Sequence, residues 1–182
     1  MFARVSGHIT DRLIAQQAVA SEERELYEYG FRQGFTALLN ILTAAAVGAL
    51  FGCMLKALLF LVLYIPLRSF AGGHHARTPW LCYVQSVLML VAVCLWIRYV
   101  PWGWHEYPML AAGAGTVFLL APAEAHSKPL DDIEMKVYRK RALLILAVQA
   151  AAFPLLRAAG LYGAAQVVCC VICMMALMLI IR

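Results

Sequence analysis

The sequence predicts an all-α integral membrane protein of about six transmembrane helices, with an amphipathic interfacial helix at its N-terminus and both termini in the cytoplasm. Three observations lead there. Of 182 residues, 64% are hydrophobic and 14% charged, where a soluble domain carries roughly a quarter charged residues. Apolar runs recur along the chain at lengths approaching the ~20 residues that cross a bilayer. The Lys and Arg residues cluster on alternate connections between those runs, as in multi-pass proteins.

The same figures exclude other classes. The net charge is +5, and no Lys/Arg cluster is interleaved with aromatics, so no nucleic-acid surface is predicted; a basic membrane-facing rim explains the balance. The six cysteines, at 53, 82, 94, 169, 170 and 173, sit mostly inside apolar runs, where a thiol behaves as a small hydrophobe and no secreted disulfide framework forms. Cys170-Val-Ile-Cys173 does match the C-x-x-C of redox proteins, which keeps a membrane thiol oxidoreductase as an alternative. Its place in the middle of the Leu161–Ile181 run would desolvate the thiolate and leave it unreactive.

Region 1–33 precedes the first span. Residues 1–20 hold no continuous apolar stretch, so no cleavable signal peptide is predicted. Phe2, Val5, Ile9, Leu13 and Ala20 fall near one helical face with Arg4, Asp11 and Arg12 off it, the pattern of a helix lying along the interface. Ser21, followed by Glu22 and Glu23, is the expected N-cap of the next helix. From Phe35 to Leu67 the only charged residue is Lys56, which divides spans one and two (34–70) into about 34–52 and 54–70. The second is short: Ala57–Leu67 is eleven residues, so Lys56 and Arg68 must snorkel from its two ends.

Residues 71–78 form a polar turn, Ala-Gly-Gly-His-His-Ala-Arg-Thr. Spans three and four follow within 79–121. Thr78 as N-cap with Pro79 at the first helical position is a strong helix start. Tyr99–Tyr107, with Trp102 and Trp104, has the composition of a lipid headgroup belt. Residues 122–141 are expected to be a charged cytoplasmic loop, and spans five and six, about 142–157 and 161–181, close the chain. Small residues at Ala44–Gly52 and Ala111–Gly115 allow helix packing or a homodimer without requiring the latter. Threaded this way, twelve of the fifteen Lys and Arg fall on one side, which places both termini and the 71–78 turn in the cytoplasm.

That turn carries the candidate chemistry. Cys82 and His75 are seven residues apart, about 10 Å on an unbroken helix, whereas proton transfer needs about 3 Å. Gly72 and Gly73 permit a fold-back, and Thr78-Pro79 ends one segment and begins another. Cys82 then lies about one turn into a helix, near its positive end, which favours the thiolate, and His75 could accept its proton. This is the pairing used in nucleophilic acyl transfer. An interface histidine beside a buried thiol is the plainer reading of the same spacing. A metal site of His74, His75 and Cys82 would have its adjacent histidines pointing apart and no evident fourth ligand; no metal or cofactor is predicted. His74 has no assigned role.

Arg68-x4-Gly73-x-His75-x6-Cys82, continued by Tyr83-Val-Gln-Ser86, resembles the core motif of the accessory gene regulator B family, bacterial membrane cysteine endopeptidases of peptide quorum sensing. Ala121-Pro-Ala123 with Lys128-Pro129-Leu130 looks like that family's loop between fourth and fifth spans, and the six-span plan covers nearly the whole chain. The resemblance implies Cys82 as nucleophile and His75 as general base, with Arg68, Gly72 and Gly73 shaping the site or orienting substrate. It also implies an AgrD-type propeptide substrate, cut at its C-terminal side, held as a thioester and released as a thiolactone or lactone. Glu28 or Gln33, at the first span's cytoplasmic end, could orient His75. Beside the thiol oxidoreductase, a non-catalytic peptide transporter, which would not depend on Cys82, is the other alternative. Lys136, Arg139, Lys140 and Arg141 could draw an acidic peptide segment to the cytoplasmic face of the bacterial cell membrane.

Overall fold

The apolar runs fold as helices, and the charged residues between them decide where each begins. The computed structural model describes residues 2–72, 78–123 and 131–181. Seven α-helices follow in order among them: α1 (Ala3–Ala15), α2 (Arg24–Leu50), α3 (Met54–Ala71), α4 (Pro79–Tyr99), α5 (Glu106–Leu120), α6 (Asp132–Ala158) and α7 (Tyr162–Ile180). Five segments, Ser21–Leu50, Met54–Ala71, Trp80–Tyr99, Ile133–Ala158 and Tyr162–Ile180, are long and apolar enough to cross a membrane. The expected fourth span is the exception. α5 has 15 residues, about 22 Å of helix, short of the ~30 Å hydrocarbon core.

α7 is the axis. Its residues from Ala165 to Ile172 are continuously buried, as expected of a helix apolar on all sides. α3, α5 and α6 pack around it. Close approach depends on small residues: a Cβ on Gly113 of α5 would stand 3.2 Å from Ile172. In the α2–α3 hairpin a Cβ on Gly48 would stand 2.8 Å from that of Ala57, and Ala44 is also buried. Part of each small face therefore packs within the bundle, while Ala46, Ala49, Leu50 and Gly52 of the first and Ala111, Ala112 and Gly115 of the second remain exposed.

Two expectations about helix starts change, while α1 packs antiparallel against the first half of α2, with Phe2 on Phe35 (ring centroids 5.6 Å) and Arg24 bonded to Asp11 at 2.9 Å. Its inner face holds buried Ser6 and Thr10, whose hydroxyls donate to the Phe2 and Ser6 carbonyls, while Val5 is exposed. Ser21 is not the cap of α2. Ser21–Glu23 form a 3-10 turn, the Ser21 hydroxyl donates to Glu22, and the helix proper begins after Glu23 without a side-chain cap. Finally, 132–141 is not loop: α6 begins at Asp132, ten residues before the apolar pattern, because the Asp131 amide donates to Glu134 Oε2 and its carbonyl accepts from the Met135 amide.

The ends of the helices gather in two places. At one, the Ala123 amide donates to Ala71 O at 2.9 Å and Arg139 Nη1 donates to Ala121 O at 3.1 Å, while Tyr138 and Arg141 pack on Phe70. The end of α3, the end of α5 and the start of α6 thus meet. At the other, Glu106 of α5 is fully buried and takes Arg157 Nη1 of α6 at 2.6 Å. Arg157 also donates to Gly103 O and is ringed by Trp102, Tyr107, Phe153 and Tyr162 at 5.1–5.9 Å. Short as it is, α5 runs from one end of the bundle to the other.

Candidate active site

At the Ala71–Ala123 end the chain must turn from α3 into α4. Gly72 makes the first step at φ 71°, ψ −144°, a region essentially closed to residues with a Cβ. A Cβ there would also run into the Ala123 carbonyl, since Gly72 and Ala123 form an isolated parallel bridge. α4 then restarts as the sequence predicts: the Leu81 amide donates to the Thr78 hydroxyl at 3.3 Å, with Pro79 at the first helical position. The Cys82 amide closes the first full turn on Thr78 O at 3.1 Å.

This start places the Cys82 thiol in the wall of a cavity of about 350 Å³ between α2, α3, α4 and α7. Arg68 and Gly72 line the same cavity, with Tyr64 and Ser69 from α3, Asn40 and Thr43 from α2, Gln85, Ser86 and Met89 from α4, and Met178 from α7. Arg68 Nη1 donates to the Tyr64 hydroxyl at 3.2 Å, its guanidinium 6.0 Å from the ring centroid. Tyr83 ties α4 to α2 through a 2.8 Å hydrogen bond with Thr43. Phe60, Leu61 and Leu90 add apolar surface to the same lining.

Of the predicted site residues, the structure brings Cys82, Arg68 and Gly72 together. Gly73, His74 and His75 lie outside the described residues. Glu28 and Gln33 are engaged elsewhere: the Glu28 carboxylate holds Arg24 (3.1 Å) and Arg32 (3.0 Å), and Gln33 donates to the Tyr29 hydroxyl. Neither lines the cavity; Gln33 is two turns, about 10 Å, before Asn40. The four basic residues of the predicted docking set stand on the first turns of α6. All four are exposed; Arg139 and Arg141 also serve the fold, on Ala121 O and Phe70, and Lys136 and Lys140 stand one turn apart.

Asn40, Thr43, Gln85 and Met178 were not predicted as site residues. Gln85 alone was readable, three residues from Cys82 and so on its face of α4; the others come from distant helices. The C-x-x-C pair lies within α7, with both thiols free. Cys170 is buried, and Cys173 donates to Met109 O at 3.6 Å. No group of His, Cys, Asp and Glu able to hold a metal occurs among the described residues.

Helices of this length and apolarity, around a cavity that carries a thiol and a guanidinium, define an all-α membrane protein with a polar site between its helices. The family model described as accessory gene regulator B matches residues 6–181, and the chain belongs to that family. It is 22% identical over 157 residues to an AgrB-like protein of Clostridium perfringens strain SM101 and to AgrB-like protein 2 of strain 13, covering 81% of this chain and 73% of each of theirs. Over 59 residues it is 39% identical to protein FsrB of Enterococcus faecalis strain OG1RF, covering 32% of this chain and 24% of that one. No solved structure matches the chain.

Proposed function

We propose that this chain is a membrane cysteine endopeptidase of peptide quorum sensing, which cleaves a small AgrD-type propeptide at its C-terminal side and promotes cyclisation of the remainder. The observation that carries the reading is the position of Cys82: in the capped first turn of α4, facing a cavity it shares with Arg68. His75 takes the thiol proton and returns it to the leaving amine. Cys82 Sγ adds to the scissile carbonyl, the C–N bond breaks, and the N-terminal part of the peptide remains as a thioester. An internal Cys or Ser of that peptide then displaces Sγ and closes a thiolactone or lactone; holding it close to the thioester lets it outrun water.

Arg68 orients the peptide through its carbonyls or carboxylates, and Lys136 and Lys140 attract its acidic segment. Both termini and the cavity mouth face the cytoplasm of the bacterial cell, where thiols stay reduced; the clustering of the Gly72 and Arg139 ends of the bundle supports a common side for the basic segments. Membranes containing the full chain are incubated with a synthetic propeptide. Wild-type protein gives cleavage and a covalent adduct on Cys82, whereas Cys82→Ala and His75→Ala insert normally and give neither. Cleavage retained in either variant would overturn the reading.

A further inference from the structure

The tetrahedral intermediate of any acyl transfer at Cys82 bears a negative oxygen, and a site in a dry membrane bundle must supply hydrogen-bond donors to it. Three of the backbone positions at the start of α4 have no free amide to give. Pro79 has no amide hydrogen, the Leu81 amide is held by the Thr78 side chain and the Cys82 amide by Thr78 O. The Ser86 hydroxyl, one turn below, is turned back on Cys82 O at 2.9 Å.

Gln85 differs. It lines the cavity beside Cys82, and residues three apart on a helix have their Cβ atoms about 5–6 Å apart. Helical side chains lean toward the N-terminus, which for Gln85 is toward Cys82. Among the described residues its amide nitrogen meets Met178 Sδ, at 3.4 Å, and a thioether is a weak acceptor. This leaves a strong donor, three residues from the nucleophile, against a partner that a developing oxyanion would readily displace.

We propose that Gln85 is a catalytic residue, its carboxamide N–H donating to the oxyanion formed at Cys82. The inference rests on the proposed peptidase reading. As Sγ adds to the carbonyl carbon, the C=O π pair moves to oxygen, and the Gln85 amide turns from Met178 to that oxygen. When the pair returns, the C–N bond breaks and the amine leaves with the proton that His75 took from the thiol. The Gln85 donor is used again when the peptide's own thiol or hydroxyl attacks the thioester. Arg68 and Tyr64 face the same cavity from α3, already bonded to each other; Gln85 shares a helix with Sγ and moves with it.

The test compares wild type, Gln85→Met and Gln85→Glu in the full chain reconstituted in lipid vesicles. Met keeps the length of the side chain and its packing on Met178, and Glu keeps the shape; neither offers the N–H at neutral pH. Two rates are read: single-turnover acylation of Cys82 by a synthetic AgrD-type propeptide, and alkylation of Cys82 by iodoacetamide, which forms no oxyanion. Acylation should fall about 100- to 1,000-fold with KM nearly unchanged, and alkylation should stay within about twofold. Acylation unchanged in Gln85→Met, or a parallel fall in alkylation, overturns the role, as does a comparable loss in Tyr64→Phe with none in Gln85→Met. If instead Cys82→Ala still cleaves the peptide, the peptidase reading itself has failed, which distinguishes the two.

Discussion

Replacing Gly72 by alanine tests how the site is hinged, because the chain contains its own control. Gly72 and Gly52 both adopt positive φ, 71° and 67°, at turns between helices. An added Cβ meets nothing within 4 Å at Gly52, but at Gly72 it collides with the backbone of Ala123. Gly52→Ala therefore bears conformational strain alone, about 1–2 kcal/mol. Gly72→Ala bears that strain in a less accessible region, plus about 1–3 kcal/mol to displace a packed neighbour. It also puts at risk the Ala123 to Ala71 hydrogen bond, worth about 0.5–1.5 kcal/mol. The excess over the control is roughly 1.5–4.5 kcal/mol, or about 3–18 °C in melting temperature for a chain of this size. Thermal unfolding in detergent, followed by a thiol-reactive dye, measures it. Cys82 labelling below the transition should also accelerate in Gly72→Ala and not in Gly52→Ala. Equal melting temperatures and equal labelling for the two variants would refute the hinge.

Other consequences are simpler. Thr78→Ala removes the acceptor of the Leu81 amide and should cost about 1 kcal/mol, lowering the melting temperature by a few degrees and slowing cleavage. Arg157→Met strands the buried Glu106 carboxylate and should cost about 3–5 kcal/mol, most of it recovered in Glu106→Gln/Arg157→Met; a double variant no more stable than the single would remove the pairing as the cause. Lys136→Glu with Lys140→Glu should raise KM for an acidic propeptide and flatten its dependence on salt without changing stability. Unaltered KM and salt dependence would end the docking role of these two lysines.

The helices were legible where apolar runs ended at chemically strong punctuation. Thr78-Pro79 gives the start of α4 to the residue, and Lys56 divides α2 from α3 within two residues. Reading failed where polarity alone was taken for loop. Asp131-x-x-Glu134 is a capping pattern, and the helix it opens carries Lys136 to Arg141 as its first turns; the charge run masked it. Ser21 failed in the opposite sense, its acidic neighbours offering its hydroxyl a side-chain partner in place of a backbone amide. For the site, Cys82, Arg68 and Gly72 were legible because they belong to one turn of the chain. Asn40, Thr43 and Met178 were not, since the α2–α4 and α4–α7 contacts that bring them in leave no local periodicity.

The shortness of α5, legible already in the run of about 107–121 between the aromatic belt and the charged segment, bears on the site most directly. α6 grips α5 at both ends with arginines: Arg157 holds Glu106 in its first turn, and Arg139 holds Ala121 O just past its last. From Glu106 to Ala121 is about 22 Å of helix rise, and from Arg139 to Arg157 about 27 Å, so two long side chains span the difference. The segment so fixed continues directly into Ala123, whose carbonyl lies against Gly72 and whose amide bonds Ala71. A buried ion pair at the far end of the bundle therefore sets the position of the backbone that closes the α3–α4 turn. Arg139→Met and Arg157→Met should each loosen that closure and raise Cys82 labelling, although neither residue lines the cavity. Lys140→Met, one residue from Arg139 and likewise exposed, removes a charge without touching the Arg139 bond to Ala121 O and should leave labelling unchanged. Labelling that rose equally in all three would mean that α6 acts on the site through its charge rather than through its hold on α5.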